Sequence, residues 1–220
     1  MFEYGAWAAH PYLRSPSRSL LPESVRRELA DLNGQYLTTI VATEDASTPL
    51  CWRGRAMPAL GEARLLETMA SCPFTLFELR LDALAAPATP TNDDLAPSLA
   101  VRHLHREALA HSALTLAWRL AESSPFSLRV ALGLSAAAEL VMNEMRVKSL
   151  SAWARTPGLM RTRWLEHAVF WKALGRAAEV GDSGQLARVH CLGITLLAGE
   201  LSPRVRDGAA PARGASPCRR

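Results

Sequence analysis

Between Pro22 and Asp45 the chain reads PESVRRELADLNGQYLTTIVATED. Its apolar residues, Val25, Leu29, Leu32, Tyr36, Leu37, Ile40 and Val41, fall at the spacing of one face of an α-helix. Pro22 suits the entry of a helix, because a residue in the first turn has no intrahelical amide bond to lose. The run Ala46-Ser47-Thr48-Pro49 breaks the pattern and ends the helix near Asp45. The same grammar of leucine-rich stretches punctuated by proline and glycine continues along the chain, and it predicts an all-α fold.

Downstream, a short segment spans Leu50 to Gly54. Pro58 then opens a second helix carrying Leu60, Leu65, Leu66 and Met69, which Pro73 stops. The stretch Phe74 to Leu81 alternates weakly, with Phe77, Leu79 and Leu81 on one side and Glu78 and Arg80 on the other. A short strand and a buried helical turn both fit it. Residues 85–98 are rich in proline and include Thr89-Pro90-Thr91-Asn92 and Asp93-Asp94, so they read as a linker. A long helix follows from about Leu99 to Glu122. Pro125, Gly133, Pro157 and Gly181 punctuate further helices, among them one from Ala136 to Leu150 and a last one from Ser183 to Gly199. The expected organisation is an irregular N-terminal arm (1–21, with Tyr4, Trp7 and Tyr12 available for packing), a helical unit (22–84), the linker, a second helical unit (99–200) and a disordered tail (201–220).

The totals agree with this reading. The chain has 220 residues, enough for a sizeable core, with 49% apolar and only 6% aromatic residues. The apolar set is mainly alanine and leucine, which favour helices over sheets. The formal charge of +4 is too small for a protein that coats nucleic acid. Four cysteines, at 51, 72, 191 and 218, match no paired zinc-ligand spacing and no disulfide framework. The first residues lack the basic and apolar blocks of a secretory signal, and no apolar run is long enough to span a bilayer. A soluble cytoplasmic protein with no membrane association is expected.

The two units share an order of events. Each opens with a leucine-rich helix and passes through an acidic-to-proline turn, Glu44 to Pro49 in one and Glu122 to Pro125 in the other. A short segment ends at Gly54 or Gly133, and an amphipathic helix ends at Pro73 or Pro157. The closing segments are Phe77 to Leu81 and Met160 to Trp164. The first unit is five residues shorter between its glycine and its proline, 19 against 24.

Asp31-Leu32-Asn33-x-x-Tyr36-Leu37 resembles the Leu-Asn-x-x-Tyr-Leu opening of FlhD, a subunit of the flagellar master transcriptional regulator. Ala131-Leu132-Gly133-Leu134-Ser135, the helix from Ala136 and Trp153-Ala154-Arg155-Thr156 resemble the middle of that family. Phe77-Glu78-Leu79-Arg80-Leu81-Asp82 resembles its Cys-His-Phe-Arg-Phe-Asp. Each match covers about 50 residues. The resemblance implies an all-helical dimeric fold, here two tandem copies as a pseudo-dimer. It implies promoter DNA and a companion regulator subunit as partners, the companion carrying the zinc site. The family cysteine that can bridge the dimer is matched by Phe77 and Arg161, so no such bridge is expected.

The residues themselves offer little catalytic chemistry. His103 and His105 stand two apart and fall on different faces of a helix, His111 is two turns away from His103, and there is no HExxH. His190 and Cys191 are adjacent and diverge by about 100° on a helix, so they do not pair as base and nucleophile. Gly181-Asp182-Ser183-Gly184 follows a helix rather than a strand, and reads as a C-cap followed by an N-cap rather than a phosphate loop. No enzyme activity, metal site or cofactor is expected. One charge feature remains: Met145 to Leu165 holds no acidic residue but contains Arg146, Lys148, Arg155, Arg161 and Arg163. That segment suits contact with DNA phosphates, and a break at Pro157-Gly158 would add the ends of two helices. A solvated basic face is the other reading. In function, a DNA-associated subunit of an FlhD-type activator is expected, with a protein-interaction adaptor of a secretion or conjugation apparatus as the alternative.

Overall fold

The structure is a computed structural model and describes residues 21–43, 49, 63–81 and 97–202. Most of the arm, the turn after the first helix, the segment ending at Gly54, the opening of the second helix at Pro58, nearly all of the linker and most of the tail lie outside those residues. The described elements run α1 (Glu23–Thr43), α2 (Ala63–Ala70), β1 (Phe77–Leu79), α3 (Pro97–Ser123), α4 (Pro125–Leu132), α5 (Ala136–Glu144), α6 (Val147–Ala154), β2 (Met160–Thr162), α7 (Ala168–Val180) and α8 (Ser183–Leu201). The fold is all-α, with two three-residue strands as its only sheet among the described residues.

Helix boundaries follow local chemistry. Ser124 caps α4 by accepting from the Ser127 amide, and Pro125 occupies its first turn. Gly133 ends α4 in the left-handed region at φ 63°. Ser135 caps α5 through the Ala138 amide, and Asp182 caps α8 through the Gly184 and Gln185 amides, directly after Gly181 has ended α7 at φ 69°. Those two amides hold the Asp182 carboxyl below its ordinary pKa.

One helix differs from expectation. The stretch Ala136 to Leu150 is not continuous; Met145 and Arg146 are extended and separate α5 from α6. On an unbroken helix Met145 and Leu150 would point about 140° apart. The break lets both enter the core, where both are buried.

A single cluster of buried residues runs from Leu21 to Leu197 and draws on both halves of the chain. α1 packs on α2 and α3, α3 carries α4, α5 and α6, and α2 meets α7, which pairs with α8. The Leu-Asn-x-x-Tyr-Leu run of α1 has a packing role. Asn33 is fully buried; its Nδ2 donates to the carbonyls of Phe74 at 2.9 Å and Ala70 at 3.2 Å, and its Oδ1 accepts from the Leu76 amide at 2.9 Å. One side chain thus satisfies the irregular backbone between α2 and β1, which would otherwise be buried without partners. Tyr36 stacks beside Phe77 with ring centroids 5.1 Å apart and hydrogen-bonds the Thr162 hydroxyl of β2.

Candidate functional site

β1 and β2 pair antiparallel, with Phe77 opposite Thr162, Glu78 opposite Arg161 and Leu79 opposite Met160. Phe77 and Leu79 face the core on one strand, and Met160 and Thr162 on the other, the alternation a half-buried pair requires. The segments that close the two sequence units therefore lie side by side.

The basic stretch divides three ways around this seam. Arg163 is only 2% exposed and does not reach the surface to meet a phosphate. Its Nη2 donates to the carbonyls of Leu132 at 2.7 Å and Phe77 at 3.2 Å, its Nε to Thr75 O at 3.1 Å, and its Nη1 to Glu200 Oε2 at 2.8 Å. The DNA-contact role expected of Arg163 is replaced by a structural one. Burial pushes its pKa down, while the charges of Glu200 and Glu78 act against that shift. A guanidinium starts from so high a value that it stays protonated. Gly133 is part of the same arrangement. A Cβ there would lie 2.5 Å from Arg163 Nη1 and 2.9 Å from Leu197 Cδ2, at a φ that disfavours side chains.

Arg161 and Arg155 are exposed but paired. Arg161 Nε lies 3.8 Å from Glu78 Oε1 across the strands, and Arg155 Nε donates to Glu107 of α3 at 2.7 Å. That hydrogen bond and charge raise the Arg155 pKa. Arg146 and Lys148 are exposed at the start of α6 and have no carboxylate partner among the described residues. The break at Pro157-Gly158 presents one helix end rather than two, because α6 ends at Ala154 and β2 follows.

The tryptophans of the stretch pack rather than project. Trp153 and Trp164 are partly buried against the core. The Trp164 ring lies edge-on to Phe74 and Phe170, and its Nε1 donates to Glu200 Oε1 at 2.6 Å. His190 and Cys191 separate as their helix geometry demands: Cys191 is exposed, while the His190 ring turns toward Phe74. Burial lowers the His190 pKa, and its Nε2 has no hydrogen-bond partner among the described residues. Among the described residues, no group of three or more His, Cys, Asp or Glu side chains is placed to hold a metal ion. No single described helix is long and apolar enough to cross a membrane.

Three features were missed from sequence. Glu200 is the counter-charge of a buried arginine 37 residues away, and no local pattern marks that pairing. Asn33 carried a signal, as an amide in an otherwise apolar helical stripe. Leu140, Val141 and Val147 are large apolar side chains left at the surface. No protein-family model, curated protein or solved structure matches this chain.

Proposed function

We propose that the chain is a regulatory subunit of the FlhD type, in which two divergent tandem copies form an internal dimer. It acts in the cytoplasm by binding a companion regulator subunit at promoter DNA. The observation that carries this reading is the antiparallel pairing of Phe77–Leu79 with Met160–Thr162. These segments occupy the same place in the two sequence units, and antiparallel pairing of equivalent segments is what a two-fold contact between copies produces. Arg146 and Lys148 are the residues left free to touch phosphate; Arg155 and Arg161 reach it only by releasing Glu107 and Glu78.

The test is purification of the full chain from its native host, with protein identification and sequencing of any bound DNA. Recovery of a transcription-regulator partner together with a discrete promoter set is expected, and exchange of Arg146 and Lys148 for glutamate lowers the linked transcripts. Absence of both partner and DNA, with transcripts unmoved, sinks the reading.

The adaptor reading is favoured by one specific observation: of five basic residues, one is buried and two are already paired. Salt separates the two. Phosphate contact weakens steeply as salt rises, whereas an adaptor binds no DNA at any salt.

A further inference from the structure

We propose that the outer face of α5, with the first residues of α6, docks an acidic amphipathic helix of a partner protein. The proposal rests on the reading of the chain as a binding protein and names the chemistry of one partner surface.

α5 buries little of itself. Met142 is its one buried residue, with Ala138 and Glu139 half-buried. Ala136, Ala137, Leu140, Val141 and Glu144 are exposed and follow one another at helical spacing, so they form one continuous face. Leu140 is 64% exposed and Val141 38%. Val147, 54% exposed, begins α6 directly after the break. Leu140 and Val141 adjoin on one helix face and Val147 follows within seven residues, so these apolar side chains are not scattered singly along the surface.

Charge chooses the occupant. Arg146 and Lys148 flank Val147 and have no carboxylate partner among the described residues. Covalent connection alone keeps the Arg146 Cα within about 8 Å of that of Glu144. From 140 to 148 these two cations outnumber the one carboxylate, Glu144. The nearby Glu139 is neutralised by Arg129 at 2.7 Å. Exposed apolar side chains followed within a few residues by unpaired cations complement a helix whose own apolar stripe is bordered by Asp or Glu. The exposed face is about 13 Å long, the span of a short helix. Three apolar side chains and two cations are far less than a stable membrane anchor needs.

The test uses the full chain and two synthetic helix-forming peptides of about fifteen residues. Both carry the same leucine stripe; one is bordered by glutamate and the other by lysine. Fluorescence anisotropy is expected to give the glutamate peptide about tenfold tighter binding than the lysine peptide. Leu140→Glu abolishes binding, and the double variant Arg146→Glu with Lys148→Glu reverses the ranking. An unchanged circular-dichroism melt checks that each variant folds, and the double variant alters only exposed side chains. Equal affinity for both peptides, no binding of either, or binding indifferent to Leu140→Glu overturns the proposal. So does a homodimer by light scattering that Leu140→Glu dissociates, which assigns the face to a second copy. Binding to anionic vesicles without binding to the peptide assigns it to lipid, and again overturns the proposal. The peptide ranking is read on the purified chain without DNA, so its absence does not bear on promoter and companion recovery by the unaltered chain, and failure of that recovery leaves the ranking readable.

Discussion

The seam between β1 and β2 and the open face of α5 and α6 draw their cations from one acid-free stretch of sequence, yet treat them in opposite ways. At the seam, Arg163 is enclosed and its guanidinium is shared among three backbone carbonyls and Glu200. At the open face, Arg146 and Lys148 stand in solvent on either side of Val147, just after the exposed Leu140 and Val141 of α5. A buried guanidinium with fixed acceptors holds structure together, because removing it strands every acceptor at once. A solvated cation contributes little to stability and is free to bind something else. Charge density along the sequence does not distinguish these cases; the acceptors that surround each side chain do.

Substitutions that break the seam are therefore expected to cost far more than changes at exposed pairs. Arg163→Met leaves the Thr75, Phe77 and Leu132 carbonyls and the Glu200 carboxylate without their donor. A loss of about 3–5 kcal/mol is expected, read as a lower urea midpoint. Next is Asn33→Ala, which strands the Leu76 amide and the Phe74 and Ala70 carbonyls, at about 2 kcal/mol by the same measurement. Gly193→Ala tests the α8 side of the core. Its Cβ would collide with the Phe74 ring, so about 1–3 kcal/mol of overpacking is expected. Phe74→Leu in the same chain should recover part of that loss.

A smaller effect comes from His190. Its folded-state pKa is depressed by burial, so the folded chain resists a proton that the unfolded chain accepts. Stability from this group is complete above the ordinary imidazole pKa of about 6.5 and declines as pH falls below it. Urea midpoints compared at neutral and mildly acidic pH should fall less in His190→Leu than in the unaltered chain. The smallest effect is at the rim of the seam. A double-mutant cycle between Glu78 and Arg161, both partly exposed, should give about 0.5 kcal/mol. A value several times larger would blur the contrast between rim and interior.

Much of the fold was legible because helix signals are local. Glu23–Thr43, Pro97–Ser123 and Ser183–Leu201 follow the stripe of apolar residues and their caps to within a few positions. The Gly181-Asp182 junction was readable for the same reason: a left-handed glycine and a capping carboxylate act on their own neighbours. The interruption at Met145-Arg146 was not legible, since no proline or glycine stands there and the driving force is the burial of two side chains on different faces. The candidate site was less legible still. The five basic residues look equivalent in sequence, and their separation into buried, paired and free depends on Glu200, Glu78 and Glu107, which lie 37, 83 and 48 residues from their partners.

By itself the sequence determined an all-α chain and its main helices, and marked Phe77 to Leu81 and Met160 to Trp164 as mixed apolar and basic segments, because periodicity and capping are set within a few residues. Only the tertiary structure decided that those segments pair with each other and which arginine is swallowed by the pairing. Continued pleating would have put Arg163 outside with Arg161. Instead β2 stops at Thr162, Trp164 takes a left-handed φ of 50°, and Arg163 turns inward to the carbonyls that β1 and Gly133's turn leave open. That choice belongs to distant backbone atoms seeking donors, a demand that arises only once the halves are packed together.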